Sequence, residues 1–268
     1  MVLGLLRACH PAPTAAVTTI AVLLGWSLSL TATQLALVAV TVVVGQLSIG
    51  WSNDWVDAAR DSAAGRRDKP VVSGVVSVAS LRGAALIAGV VSIPLSLAAG
   101  WVAGLCHLVL VGAGWSYNLW LKQSPLSPLA YLVGFGALPA YVLFAGGDEP
   151  LLWPPLWLVA AGALLGVAAH FANAAPDIAQ DRDLGVLGAP QRLGERASLV
   201  ISMLCLGLAG AALVAQLNDG WPMAVGAMVV AAPIAVAAAC LVLGRVAVVF
   251  RLVMLAALAD VVLLLVAA

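Results

Sequence analysis

An all-α integral membrane bundle of nine transmembrane helices is the fold class that the sequence predicts, on three observations. Of 268 residues, 63% are hydrophobic and only 9% charged, and the mean hydropathy is +1.10. A soluble core does not need that much apolar surface. The apolar residues fall into nine runs, each long enough for a bilayer-spanning helix of ~20 residues. Polar and apolar positions do not alternate, which argues against a transmembrane barrel.

In chain order the runs cover roughly 14–31, 34–52, 78–98, 100–118, 127–145, 153–173, 196–216, 221–241 and 246–266. No cleavable signal peptide is expected. The start, MVLGLLRACHPAPTAA, carries one Arg, then His10-Pro11 and Pro13, and passes into a full-length span. The cysteines, Cys9, Cys106, Cys205 and Cys240, show no paired metal spacing and lie in or beside apolar segments, where inert thiols are expected.

Charge separates by side. All twelve Lys and Arg residues fall at one set of helix ends, while the opposite loops carry only Asp148, Glu149 and Asp219. By the positive-inside rule the basic side is cytoplasmic, with the N-terminus inside and the C-terminus outside an inner or plasma membrane. The net charge is zero overall, but its distribution is uneven; no nucleic-acid partner is expected.

Two cytoplasmic loops are long, at about 53–77 and 174–195, and they hold most of the polar chemistry. NDWVDAARDSAAGRRDKP (53–70) aligns without a gap on NAAPDIAQDRDLGVLGAP (173–190) at an offset of 120 (173 minus 53). Asn53, Asp57, Asp61, Gly65 and Pro70 match Asn173, Asp177, Asp181, Gly185 and Pro190. The chain therefore reads as a single membrane domain, 1–268. It divides into four-helix pseudo-repeats, about 1–125 and 126–245, with a ninth helix at about 246–268.

Asn, Asp and Asp at i, i+4 and i+8 share one helix face. If the halves pack about an axis along the membrane normal, the two acidic faces meet at one central cavity. Opposed carboxylates repel unless a cation lies between them. Oxygen ligands without His or Cys suit Mg²⁺, which keeps some waters and shares phosphate oxygens. The candidate ligands are Asn53, Asp54, Asp57, Asp61, Asn173, Asp177 and Asp181, with Asp183 an extra acid nearby. A solvated acidic loop is the plainer alternative. Pro176 should end or kink its helix, leaving the second copy only partly helical. Beside these acids lie GRRDKPVVSG (65–74) and SYNLWLKQSP (116–125), which bring Arg66, Arg67, Lys69 and Lys122 to the same side. A diphosphate needs metal on some oxygens and Arg or Lys on others.

With these stretches in hand, the sequence resembles the UbiA superfamily of intramembrane prenyltransferases, over nearly its whole length. NDWVDAARD matches N-D-x-x-D-x-x-x-D in full, and DIAQD matches the second D-x-x-x-D. SYNLWLKQSPL, DKPVVSG and the trailing GAPQRLG carry the rest. Ala174 departs from the pattern, where many relatives have Asp. The resemblance implies nine spans around a laterally open cavity and two Mg²⁺ ions bridging the acidic motifs to an isoprenyl diphosphate. It implies metal binding by Asn53, Asp57, Asp61, Asp177 and Asp181. Arg67 belongs with the diphosphate-binding candidates, and Lys69, Tyr117 and Lys122 are placed on the diphosphate by the resemblance. It puts Arg7 near an aromatic or lipid acceptor.

Metals and basic residues would neutralise the leaving diphosphate while the isoprenyl tail stays in lipid. Trp51, Trp55, Trp115, Trp120 and Tyr117 are available to face a carbocation, although Trp and Tyr also gather at membrane interfaces. His170, at i−3 from Asn173, is a candidate acceptor base or a core histidine. His107 reads as structural. Asp260 lies deep in the ninth span, where an ionised Asp costs ~2.5–3.5 kcal/mol. Transfer to an acceptor competes with cyclisation without one, with a phosphorylated-sugar donor acting on a lipid phosphate, and with divalent-cation transport.

The charge segregation generates a topology prediction. Alkaline phosphatase fused after residue 268 should be active, and fused within 65–74 it should be inactive. The reverse pattern would invert the orientation.

Overall fold

The computed structural model describes residues 2–147, 154–217 and 221–268. The outer acids Asp148, Glu149 and Asp219 lie outside the described residues. Among the described residues every regular element is helical. Eight helices are long and apolar enough to cross a membrane, and the chain is an integral membrane protein.

The chain divides into two compact units, Met1–Trp120 with Ala140–Pro150, and Leu121–Pro139 with Leu151–Ala268. The first contains α1 (Val2–Ala8), α2 (Pro11–Ser27), α3 (Ala32–Ala63), α4 (Val78–Ala98) and α5 (Trp101–Leu119). Helix α6 (Ser127–Phe144) begins in the second unit and contains Pro139, after which its residues belong to the first. The second unit also holds α7 (Leu156–Ala174), α8 (Ile178–Asp183), α9 (Ala189–Leu193), α10 (Glu195–Val214), α11 (Trp221–Val242) and α12 (Val246–Ala267).

Eight of the nine expected spans coincide with the helices long enough and apolar enough to cross a membrane, and two differences are informative. Helix α2 has 17 residues, about 26 Å at 1.5 Å per residue, and it is not among the eight. It stops at Ser27, short of residue 31, because Ser29 turns left-handed (φ 61°). There Leu30 N–H reaches back to the Gly25 carbonyl. Thr31 and Gln34 then form a reciprocal capping box that starts α3. Helix α3 runs for 32 residues, about 48 Å against a hydrocarbon core of ~30 Å. With no Pro or Gly between 51 and 64, it continues through the first acidic motif, and the expected loop at 53 begins only at 64.

Within the first unit α3 packs most extensively on α4 and also on α2 and α5. Within the second, α7 packs on α10, and α12 lies against α10 and α11. A buried cluster that includes Leu199, Leu206, Val249 and Val253 fills that second contact. Small residues set the close approaches, as in other membrane bundles. Gly162 and Gly166 on α7 form a small-xxx-small pair against α6. A Cβ at 162 would sit 2.5 Å from the Phe135 carbonyl oxygen, and one at 166 would sit 2.6 Å from that of Tyr131.

Because backbone cannot yield there, Gly166→Leu should destabilise the protein by about 1–3 kcal/mol or more. This should read as a lower apparent Tm in detergent micelles than for Gly83→Leu, where nothing lies within 4 Å of the added Cβ. Equal melting of the two variants would refute this close packing.

Candidate active site

The first acidic motif occupies the last turns of α3. Asp54, Asp57 and Asp61 are buried, at 1%, 6% and 5% exposure. The i, i+4, i+8 row of Asn53, Asp57 and Asp61 is helical throughout, as the spacing requires. Three of these side chains meet polar partners. Asn53 donates its amide nitrogen to the Asn118 carbonyl oxygen at 3.1 Å. Asn118 in turn donates to the Ile49 carbonyl at 2.9 Å and to Ser52 Oγ at 2.8 Å. Asp57 pairs with Arg60 one turn on. The Asp54 Oδ1 accepts from Lys69 Nζ at 2.7 Å and lies 2.9 Å from His10 Nε2. Asp61 differs: its Oδ2 is buried without a hydrogen-bond partner.

Around this row, Trp55 and Trp115 meet edge to face at 6.2 Å, and Trp115 donates to Ser48 Oγ. Trp51 donates to the Leu5 carbonyl, while Trp120 is 69% exposed. Tyr117 is half-buried near the end of α5. Arg7 is exposed in the last turn of α1, and Arg67 is exposed in the loop after α3. Arg66 binds Asp68 at 2.9 Å and holds that exposed carboxyl below its usual range.

In the second unit the motif is broken, as Pro176 predicts. Helix α7 ends at Ala174, a single 3₁₀ turn covers Ala175–Asp177, and α8 resumes at Ile178. Asn173, Asp177 and Asp183 are exposed and Asp181 is half-buried. Asp181 Oδ2 accepts from Gln191 Nε2 at 2.7 Å. Ser127 Oγ accepts from the Ala189 amide at 3.0 Å and lies 2.9 Å from His170 Nε2. His170 is buried and stacks on Tyr131 at 4.5 Å, so its ring anchors the start of α6 and the 188–191 segment. Lys122 lies half-buried in a 3₁₀ turn, and its carbonyl would be 2.8 Å from a Cβ at Gly188. His107 hydrogen-bonds Ser96 Oγ at 2.7 Å in the core of the first unit. Asp260 is fully buried at the α10–α12 contact, with neither oxygen partnered.

Both copies end in the same cap. After Asp61, Gly65 is left-handed (φ 65°). The Gly65 and Arg66 amides bond the Ser62 and Asp61 carbonyls. After Asp181, Gly185 is left-handed (φ 76°), and the Gly185 and Val186 amides bond the Arg182 and Asp181 carbonyls. This is a Schellman motif in each unit, with Asp61 and Asp181 at the same position of it.

For Mg²⁺ the donor chemistry fits: carboxylate and amide oxygens, one of them buried and unbonded at Asp61. Among the described residues no three His, Cys, Asp or Glu side chains gather as a metal-binding group. The sequence did not single out His10, Asn118, Ser127 or Gln191. His10, Asn118 and Gln191 fall within the stretches described above and Ser127 just after one, but the role of each depends on a partner 10 to 65 residues away.

Comparison with known proteins agrees with this architecture. A UbiA homolog from Aeropyrum pernix K1 superposes with a TM-score of 0.72 at 22% identity, covering 95% of this chain and 98% of that one. A UbiA homolog from Archaeoglobus fulgidus bound to GPP and Mg²⁺ gives 0.65 at 14% identity, with 97% and 99% covered. A structure of digeranylgeranylglyceryl phosphate synthase gives 0.66 at 16%, with 98% of each chain covered. Among curated proteins no sequence match is found. The model of the UbiA prenyltransferase family matches residues 14–266, and the chain belongs to that family.

Proposed function

We propose that the protein is a Mg²⁺-dependent intramembrane prenyltransferase. It moves an isoprenyl group from an isoprenyl diphosphate to an aromatic or other nucleophilic acceptor and releases diphosphate. The observation that carries this reading is Asp61, whose buried carboxylate oxygen has no hydrogen-bond partner at the end of a membrane helix. Such an oxygen suits a bound cation, and the Lys69 ammonium close to this row suits an anion that arrives with it.

In this reading Asn53, Asp57 and Asp61, together with Asn173, Asp177 and Asp181, hold two Mg²⁺ ions, directly or through waters. Bound Mg²⁺ supplies positive charge to the leaving diphosphate oxygens. Asn118 commits the Asn53 amide nitrogen and so leaves its carbonyl oxygen for a cation. Arg67, Lys69, Tyr117 and Lys122 bind the diphosphate, and Arg7 lies toward the acceptor. Trp55 and Trp115 supply aromatic surface that excludes water and favours a carbocation by cation–π attraction. The positive-inside rule puts this chemistry at the cytoplasmic face. Cation transport fits less well, because the motif acids lie at the end of α3 with Lys69 and Arg60 beside them, whereas a cation path calls for acids near the midplane.

Purified protein in nanodiscs, given Mg²⁺ and a panel of allylic diphosphates with and without candidate acceptors, should release diphosphate. Acceptor dependence separates transfer from cyclisation. Asp57→Ala and Asp177→Ala should each reduce turnover by at least a thousandfold, about 4 kcal/mol in barrier, while leaving the apparent Tm within a few degrees. EDTA should have the same effect on the wild type. Full activity in either variant, or in EDTA, would defeat the assignment.

A further inference from the structure

Asp54 stands apart from the other acids of its motif. It is 1% exposed, and one of its oxygens serves two groups from separate segments. Lys69 arrives from the loop after α3, and His10 from the link between α1 and α2. The two reach Oδ1 at 2.7 and 2.9 Å, with Nζ and Nε2 3.5 Å apart. A divalent ion on the same oxygen would lie within a few ångströms of the ammonium, where like charges repel strongly. His10 also has an uncommon backbone. It is left-handed (φ 53°, ψ 67°) at the N-cap of α2 and makes no side-chain cap bond there. Such a conformation persists where surrounding contacts hold it, and the bond from its ring to Asp54 is one such contact.

We propose that Asp54 is a positioning residue and not a metal ligand. Its buried carboxylate fixes the Lys69 ammonium and the His10 ring as a preformed polar clamp for the diphosphate end of the donor. This rests on the reading of the site as one that binds an isoprenyl diphosphate. An ammonium has three N–H bonds. The Asp54 bond uses one and aims the group, leaving donors for phosphate oxygens. A lysine stem fixed in advance loses less freedom when the ligand binds. A carboxylate that holds the lysine without touching the ligand should affect donor binding more than the chemical step.

The test compares Asp54→Asn, Asp54→Glu, Lys69→Gln, the Asp54→Asn/Lys69→Gln pair and Asp57→Asn in nanodiscs. Geranyl diphosphate affinity and KM are measured, and Mn²⁺ replaces Mg²⁺ so that bound ions can be counted by electron paramagnetic resonance. Asp54→Asn should weaken geranyl diphosphate binding and raise KM about tenfold, the size expected for a lost charge-assisted hydrogen bond. kcat should change by less than about threefold. Asp54→Glu should recover most of the affinity, and the double variant should be no weaker than Lys69→Gln alone. The Mn²⁺ count should be unchanged in Asp54→Asn and reduced in Asp57→Asn.

A second readout needs no ligand. Acetylation of Lys69 by acetic anhydride, followed by mass spectrometry, should be several-fold faster in Asp54→Asn, because the amine loses its ion pair. Loss of Mn²⁺ in Asp54→Asn, additive effects of the two substitutions, or an unchanged acetylation rate would each overturn the proposal. If the wild type binds no geranyl diphosphate at all, the functional reading fails, while the acetylation rate still reports whether Asp54 holds Lys69.

Discussion

A polar group inside a bilayer has to find its hydrogen-bond partner within the protein, because hydrocarbon offers none. That constraint shapes the first unit from end to end. Helix α3 has a seam of small and polar positions, Thr41, Gly45, Ser48 and Ser52, spaced three and four apart so that they share one face. Thr41 donates to the Leu95 carbonyl and Ser48 to that of Ala85, both on α4. Gly45 lets the His107 ring in, since a Cβ there would be 2.8 Å from it. Ser52 and Asn118 continue the seam to Asn53, the first residue of the acidic motif. The α3–α4–α5 contact is thus a polar ladder in an apolar sleeve, and the aspartates are its last rungs. Their placement depends on helix packing well inside the membrane.

The second unit meets the same constraint with a different device. Its acidic segment leaves the helix at Ala174, so the row cannot be aligned by helix geometry alone. Tertiary hydrogen bonds hold it instead. Gln191, itself buried, grips Asp181, and Ser127 with His170 secures the segment from which Gln191 comes. Asp260 shows the constraint by exception. It is buried against α10 at Gly210, where an added Cβ would be 2.7 Å from Oδ1. Such an intramembrane acid is expensive unless it is neutral or paired.

The long helices were legible because apolar runs of span length report directly on the solvent around them. What misled the sequence reading was continuity. Hydropathy falls at Asn53, but a helix does not end merely because its residues become polar. It ends at the left-handed Gly65, which the alignment of the two motifs had already marked. The acidic row was legible for the same reason: its spacing is local and belongs to one helix face. The partners of that row were not. His10 lies 44 positions from Asp54, and Asn118 lies 65 from Asn53. Contacts at that separation follow from which helices pack together, and no spacing rule encodes that.

The two copies of the motif show which part of the pattern geometry depends on. Between Asn and the second Asp the backbones differ, one an unbroken helix and the other a proline-interrupted turn. At the second Asp they converge: Asp61 and Asp181 occupy the same place in a Schellman cap, each with its carbonyl bonded by the amide five residues on. A left-handed residue is required there, and glycine takes it without strain. The matched glycines at 65 and 185 are therefore what keeps the last carboxylate of each motif at a fixed distance from its helix end. The tolerance for Pro176 in one copy then has a physical reason. The cap fixes Asp181 from behind and Gln191 fixes it from the side, so helical continuity through Ala175–Asp177 is no longer needed to place it.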